Sequence, residues 1–255
     1  MRILITNDDG VSAPGIAVMR EIARALSDDV WVVAPDGNQS GAGHRFTLGR
    51  ELEIAQREPK VYAIVGGSPA DCVVVGATHL LADRAPDVVL SGVNAGQNLG
   101  DIIHCSGTAA GAREGALHGA IGIAMSQGTN YELRHEVVWD NAVRHGPAVV
   151  RALISAHRSR DNFYNVNFPF CAPEAVSGVR VVPHQRFSRS PFRYYESHNA
   201  GKFFVAIPET PKPLDPDSDF QLLTHGNAVT VTPLNLRQTD AALVAALDGV
   251  LTLDM

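Results

Sequence analysis

An α/β fold with a largely parallel sheet is expected from three features of this chain. Arg2-Ile-Leu-Ile-Thr6 and Val30-Trp-Val-Val-Ala34 are short apolar runs, the pattern of strands buried on both faces. Between them Ile16, Met19, Ile22, Ala23 and Leu26 recur at helical spacing, which completes a right-handed βαβ unit. Apolar runs at residues 87–90, 122–126 and 163–168 then alternate with helical stretches. A chain of 255 residues, 45% apolar and of zero mean hydropathy, suffices for one large domain, with room for an appended subdomain.

The first strand runs into Asn7-Asp8-Asp9-Gly10, at the edge of an open α/β sheet where ligands collect. Adjacent aspartates repel unless protonated or sharing a cation, and a hard divalent ion keeps both ionised. The same four residues also suit turn and helix-cap chemistry, so metal site and turn are both open readings here. The second strand ends in Pro35-Asp-Gly-Asn-Gln-Ser40-Gly-Ala-Gly43-His44, which the βαβ unit places on the same sheet edge as Asp8 and Asp9. Ser40 offers an oxygen to a cation or a hydroxyl to phosphate, or it is a turn serine. With no third glycine opening a helix, this loop is not a dinucleotide fingerprint.

Residues 52–54 and 61–65 read as an antiparallel, hairpin-like insert. Ser68 then caps a helix with Pro69 in its first turn; Cys72 faces the core and Asp71 favours the helix dipole. After strand 87–90 comes a long small-residue loop, 91–108, ending in Ser106-Gly107-Thr108 before an Ala/Gly-rich helix over 109–118. Backbone N–H groups at such a helix start suit an anion, with phosphate the natural guess. It is neither a Walker loop nor a cysteine-phosphatase loop, because no Gly-Lys-Ser/Thr occurs and Arg113 stands eight positions beyond Cys105. Asn94 and Asn98 serve either the site or the loop's own hydrogen bonding. A long helix is expected over 137–157; beyond 170 the βα rhythm breaks into strands at 179–182, 203–207 and 228–232, Pro/Asp-rich sequence at 208–219 and a closing helix at 240–247. A tail with so little helical cover often packs on another subunit.

Bulk properties exclude several classes. The net charge of −6, with 21 scattered basic residues, leaves no footprint for duplex nucleic acid. No N-terminal signal pattern and no apolar run of about 18 residues is present, so a soluble, cytoplasmic protein without membrane contact is expected. Cys72, Cys105 and Cys171 form no CxxC pair and are expected to stay reduced.

Taken together, Thr6-Asn-Asp-Asp-Gly10, Ala34-Pro35 with Ser40-Gly41, Gly67-Ser-Pro-Ala-Asp-Cys72, Ser91-Gly-Val-Asn94 with Gly96 and Asn98, Ser106-Gly-Thr108 and Asn165-Val-Asn167 resemble the SurE family. These are stationary-phase survival proteins, metal-dependent 5'/3'-nucleotidases, and the resemblance covers about residues 1–170 in order, with a thin continuation at Thr230-Val-Thr-Pro-Leu234. It implies a Rossmann-like three-layer α/β/α core over 1–170 and, over 171–255, a C-terminal β-hairpin and arm extension used in homodimers or homotetramers. It also implies Mg²⁺ or Mn²⁺ held by Asp8, Asp9, Ser40 and Asn94. By motif, the phosphate pocket falls on Asn98, Ser106, Gly107 and Thr108, and the substrate is a nucleoside monophosphate. Catalytic roles fall on Asp8, Asp9, Asn98 and Ser106. The chain departs from the family pattern at His104-Cys105, at Ala228 and over residues 186–209.

Asp8 is then ligand and possible base. His104 is either an acid for the leaving oxygen or a surface histidine. Two rival readings remain: a non-catalytic metal and nucleotide sensor, and a haloacid-dehalogenase-like phosphatase. The second is disfavoured because Asn7 stands where that enzyme's aspartyl nucleophile belongs, and an amide cannot serve.

Overall fold

A computed structural model describes residues 1–129, 137–207, 212–248 and 250. In chain order, β1 (Arg2–Thr6), α1 (Pro14–Arg24) and β2 (Asp29–Pro35) form the opening unit, followed by β3 (Glu53–Glu58), β4 (Val61–Val65) and α2 (Pro69–Val75). Then come β5 (Val88–Ala95), α3 (Gly107–Leu117), β6 (Ile121–Gln127), α4 (Asp140–Ala156) and β7 (Asn162–Phe168). The remainder holds β8 (Val179–Val181), β9 (Arg193–Glu196), β10 (Phe203–Ala206), α5 (Asp219–Thr224), β11 (Val229–Asn235) and α6 (Ala241–Leu247).

Nine strands form one sheet in the order β3-β4-β2-β1-β5-β6-β7-β11-β8. From β4 to β7 the neighbours are parallel, in the doubly wound order of a dinucleotide-binding fold. The strand order reverses between β1 and β5, so the crevice at their carboxyl ends is the topological switch point. Helices α1 and α4 cover one face and α2 and α3 the other, giving three layers. Ile3 and Ile5 point into one cluster and Leu4 into the other, all fully buried, each contributing about 1.5–3 kcal/mol. Cys72 is buried in the second cluster, as its apolar surroundings in the sequence suggest.

Three details differ from expectation. The hairpin β3–β4 is no insert: β4 also pairs in parallel with β2, so it is the third strand of the parallel series. Strand β5 runs past Leu90 to Ala95, with a register shift between Ser91 and Asn94. Gly92 sits in that irregularity at φ +129°, where an added Cβ would fall 2.2 Å from the Met125 carbonyl oxygen; the small polar residues that resemble a loop are a bulged strand end. The third is β9, a strand unrecognised in the sequence, which pairs with β10 in a separate two-stranded ribbon.

The sheet continues across residue 170, because β11 pairs antiparallel with β7 and carries β8. Asp71 does more than complement a dipole: its carboxylate accepts from Ser68 N at 2.9 Å, completing a capping box, and from Thr47 Oγ1 at 2.8 Å. Of the Pro/Asp-rich stretch 208–219, residues 208–211 lie outside the described residues. No helix among the described residues is long and apolar enough to cross a membrane.

Candidate active site at the switch point

Three loops and one helix start converge at the carboxyl end of β1. Asn7, fully buried, performs the turn chemistry: its Nδ2 donates to the Gly10 carbonyl at 3.0 Å and its Oδ1 accepts from Gly10 N at 3.1 Å. The turn therefore uses the asparagine and neither aspartate carboxylate. Gly10, at φ +107°, lets the second loop approach; a Cβ there would meet Gly37 Cα at 3.1 Å. Gln39 N donates to the Asp8 carbonyl at 2.6 Å and Val11 N to the Pro35 carbonyl at 2.8 Å, lashing the loop after β2 to the aspartate turn.

The end of β5 supplies the third element, with Ala95 N donating to Asp9 Oδ2 at 3.2 Å. Asn94 spends its amide nitrogen on the Gly96 carbonyl at 2.7 Å, and no described residue donates to its Oδ1. Ser40 follows Gln39 directly and is exposed; its N–H bonds Asn38 Oδ1 at 2.8 Å, and its hydroxyl touches neither carboxylate.

The fourth element is the start of α3. Gly107, Gly111 and Gly115 lie four residues apart, and Cβ atoms there would press into Asp8 Cβ at 2.7 Å, Ser91 Oγ at 2.6 Å and Val89 Cβ at 2.4 Å. This glycine stripe lets the helix axis lie close to β1 and β5 and sets its N-terminus against Asp8. Ser106 caps the helix through Ala109 N at 3.0 Å. Thr108 Oγ1 donates to Asp8 Oδ1 at 2.7 Å and accepts from Asn98 Nδ2 at 3.3 Å. Gly107 N has no acceptor among the described residues and is available to an anion.

Asn98 gives its amide hydrogens to Thr108 and to Ser126 Oγ at 3.0 Å, so here it orders the pocket while its Oδ1 is left over. Its backbone is fixed by β7: Asn98 N donates to Asn167 Oδ1 at 2.8 Å, and Asn165 and Asn167 Nδ2 donate to its carbonyl at 2.8 and 3.1 Å. Sequence reasoning gave these two asparagines and Ser126 no role in the site. Two buried amides on one face of a strand were the available signal. Asp219 was missed with no local signal, since it reaches across 119 residues to accept from Gly100 N at 2.9 Å, beside the Asn98 loop.

The electrostatics of the aspartate pair are unusual. Burial pushes the Asp8 carboxyl up to about 6; the Thr108 hydroxyl opposes this and the neighbouring Asp9 charge adds to it. Burial raises Asp9 as well, against the pull of the Ala95 N–H. Among the described residues no Lys, Arg or His pairs with either carboxylate. Nor do they include a cluster of three or more His, Cys, Asp or Glu side chains arranged for a metal, so any cation here would rest on two carboxylates and neutral oxygens. That donor chemistry suits a hard divalent ion. Cys105 gives its thiol hydrogen to the Ile102 carbonyl at 3.0 Å and is pushed up by burial, the opposite of an activated nucleophile. His104 is exposed on the turn before α3.

Comparison with known proteins places the fold and the family. The family model described as Survival protein SurE matches residues 3–190. A protein of Rhodopseudomonas palustris (strain BisB5) named 5'-nucleotidase SurE is 44% identical over 97% of this chain and 98% of its own. One of the same name from Bradyrhizobium sp. (strain ORS 278) is 41% identical over 98% and 100%. The crystal structure of a SurE protein from Aquifex aeolicus superposes with a TM-score of 0.85 at 30% identity, covering 98% of this chain and 99% of that one. With a model match across most of its length and full-length relatives above 40% identity, the chain belongs to the SurE survival-protein family.

Proposed function

We propose that this protein is a divalent-cation-dependent nucleotidase that hydrolyses nucleoside 5'-monophosphates to nucleoside and phosphate, with 3'-monophosphates as a second substrate class. The observation that carries this reading is the pair of adjacent carboxylates, Asp8 buried and Asp9 half-buried, with no cationic side chain beside them among the described residues and a helix N-terminus packed against one of them. The names of the relatives, 5'-nucleotidase SurE, point to the same activity.

In this reading Asp8, Asp9, Ser40 and Asn94 hold Mg²⁺ or Mn²⁺. When bound, such an ion supplies charge to polarise a phosphoryl oxygen and to favour ionisation of an attacking water. The chain's own groups do the rest. Gly107 N–H and the Ser106 hydroxyl hydrogen face the phosphate, and the α3 dipole favours the negative charge that grows on it. Thr108 and Asn98 orient Asp8 from the side, and Asp8 is the proton acceptor when the attacking water ionises. His104, exposed beside this pocket, is the candidate donor to the leaving oxygen.

The dehalogenase-like alternative needs a carboxylate at position 7, where the buried Asn7 amide is committed to the turn. Phosphate release from AMP and GMP with added Mn²⁺ tests the enzyme reading. Tight nucleotide binding without release would replace it with the sensor. The exposed ribbon β9–β10, bearing Tyr194, Phe203, Phe204 and Val205, serves in this proposal as the arm that pairs copies of the chain into dimers or tetramers.

A further inference from the structure

The loop carrying Ser40 is poorly covered. Asp36, Asn38, Ser40, Gly41 and Arg45 are all exposed. Gln39 N fastens one end to the Asp8 carbonyl. At the other end Gly43 N donates to the Cys105 carbonyl at 3.0 Å, and His44 Nε2 meets Glu114 Oε2 at 2.8 Å. The bond from Arg45 to Gln39 Oε1, at 2.7 Å, stays within the loop and anchors nothing.

Glu114 lies on α3, 6% exposed, and the reaction described above makes no use of it. Its second oxygen meets His118 Nε2 at 3.0 Å. A carboxylate only accepts, so the His44 imidazole carries a proton on Nε2 and donates to it. A buried carboxylate with one imidazole hydrogen bond and a second imidazole at ion-pair distance is costly to assemble for packing alone. Its geometric effect is to tie the exposed loop to the helix whose N-terminus faces Asp8.

We propose that Glu114 and His44 are positioning residues that hold the 38–44 segment, and with it Ser40, at the distance from Asp8 and Asp9 that cation binding requires. This rests on the cation reading given under Proposed function. Neither residue touches the ion; they act as the outer partners that orient a ligand, and loss of such partners typically weakens metal binding 10- to 100-fold.

The test is calorimetric titration of the full-length protein with MnCl₂, together with amide hydrogen exchange in metal-free buffer. Replacing His44 with Ala, or Glu114 with Ala, is expected to raise the Mn²⁺ Kd by about tenfold or more. Exchange at residues 39–44 should quicken in both variants. Glu114→Gln keeps an acceptor for His44 and should restore most of the affinity. His118→Ala leaves the loop's own bond intact and should bind Mn²⁺ as wild type does; an equal loss there would assign the effect to Glu114 itself and overturn the tether. Should Glu114→Ala fail to fold, His44→Ala, on the surface loop, carries the measurement alone. Asp9→Asn separates the two levels. If the wild type takes up no Mn²⁺, or Asp9→Asn binds it unchanged, the cation reading falls and the tether with it. If only Asp9→Asn loses Mn²⁺ while His44→Ala matches wild type in affinity and exchange, the tether alone is wrong.

Discussion

The turn at residues 7–10 and the ribbon β9–β10 are opposite solutions to the placing of side chains. At the turn, polar groups are buried or half-buried and each of three has a named partner: Asn7 with Gly10, Asp8 with Thr108, Asp9 with Ala95. On the ribbon, aromatic side chains face solvent, with Tyr194 65% and Phe203 60% exposed and stacked on each other. Buried polar groups are expensive to arrange, and among the described residues no cationic side chain offsets the two neighbouring carboxylates. Exposed apolar groups cost little in the monomer and gain free energy only when something covers them. On the proposed reading the first region serves chemistry and the second assembly.

The extension beyond residue 170 belongs to both categories. Its arm is exposed, while Asp219 and Gln185 reach inward: the Asp219 carboxylate accepts from Gly100 N at 2.9 Å, Gln185 N at 2.8 Å and Phe220 N at 2.7 Å. Asp101 N in turn donates to the Gln185 carbonyl at 3.1 Å. The segment that holds Asn98 is thus braced from the far end of the chain.

Four measurements strain this contrast, in falling order of effect. Asp9→Asn should reduce phosphate release from AMP on the order of 10³-fold, because on the proposed reading the charge available to the cation is halved; a steady-state assay at saturating Mn²⁺ checks it, and near-normal turnover would make the aspartate pair merely structural. Asp219→Ala leaves three backbone N–H groups without their acceptor and should cost roughly 3–5 kcal/mol in urea unfolding, far more than any change in the arm. A loss within about 0.5 kcal/mol would show the extension to be peripheral.

Asp8→Asn is expected to stabilise the metal-free protein while abolishing its activity. The Asp8 carboxyl rises on folding from its ordinary value near 3.8 to about 6, so the folded state holds the proton more tightly than the unfolded chain. Nothing is lost below pH 4; stability declines as pH climbs from 4 through 6, and the full cost persists above. Since asparagine does not ionise, the variant should exceed wild type by on the order of 2 kcal/mol at pH 8 in EDTA, and by almost nothing at pH 4. Melting curves at the two values decide it, and a constant offset would remove the burial argument. Smallest of all, Phe203→Ser on the ribbon should shift monomer stability by no more than about 0.5 kcal/mol. It should nonetheless lower the mass seen in light scattering; an unchanged oligomer would disconnect the ribbon from assembly.

Much of this was legible in the chain itself. Local sequence marks β1 and β2 as unbroken apolar runs, α1 by burial at helical spacing, and Ser68 with Pro69 announces the start of α2. The small residues before α3 identify a helix start fit for an anion by the same local logic. Less was legible where a residue's meaning depends on a distant partner. Ser-Gly-Val-Asn at 91–94 resembles a loop, and only Met125 across the sheet makes it a bulged strand. Arg193–Glu196 carries no strand alternation because both faces of the ribbon are exposed.

The order of residues alone determined which groups were present, where strands gave way to loops, and that two aspartates would sit together at a strand end, since bonded neighbours and helical or strand period are local properties. Only the folded arrangement decided which side chains are spent and which are free: Asn7 on the turn, Asn98 on Thr108 and Ser126, His44 on Glu114, Gly100 on Asp219. Burial and hydrogen bonding are set by whatever comes to lie alongside, and here those partners stand from 3 to 119 residues away.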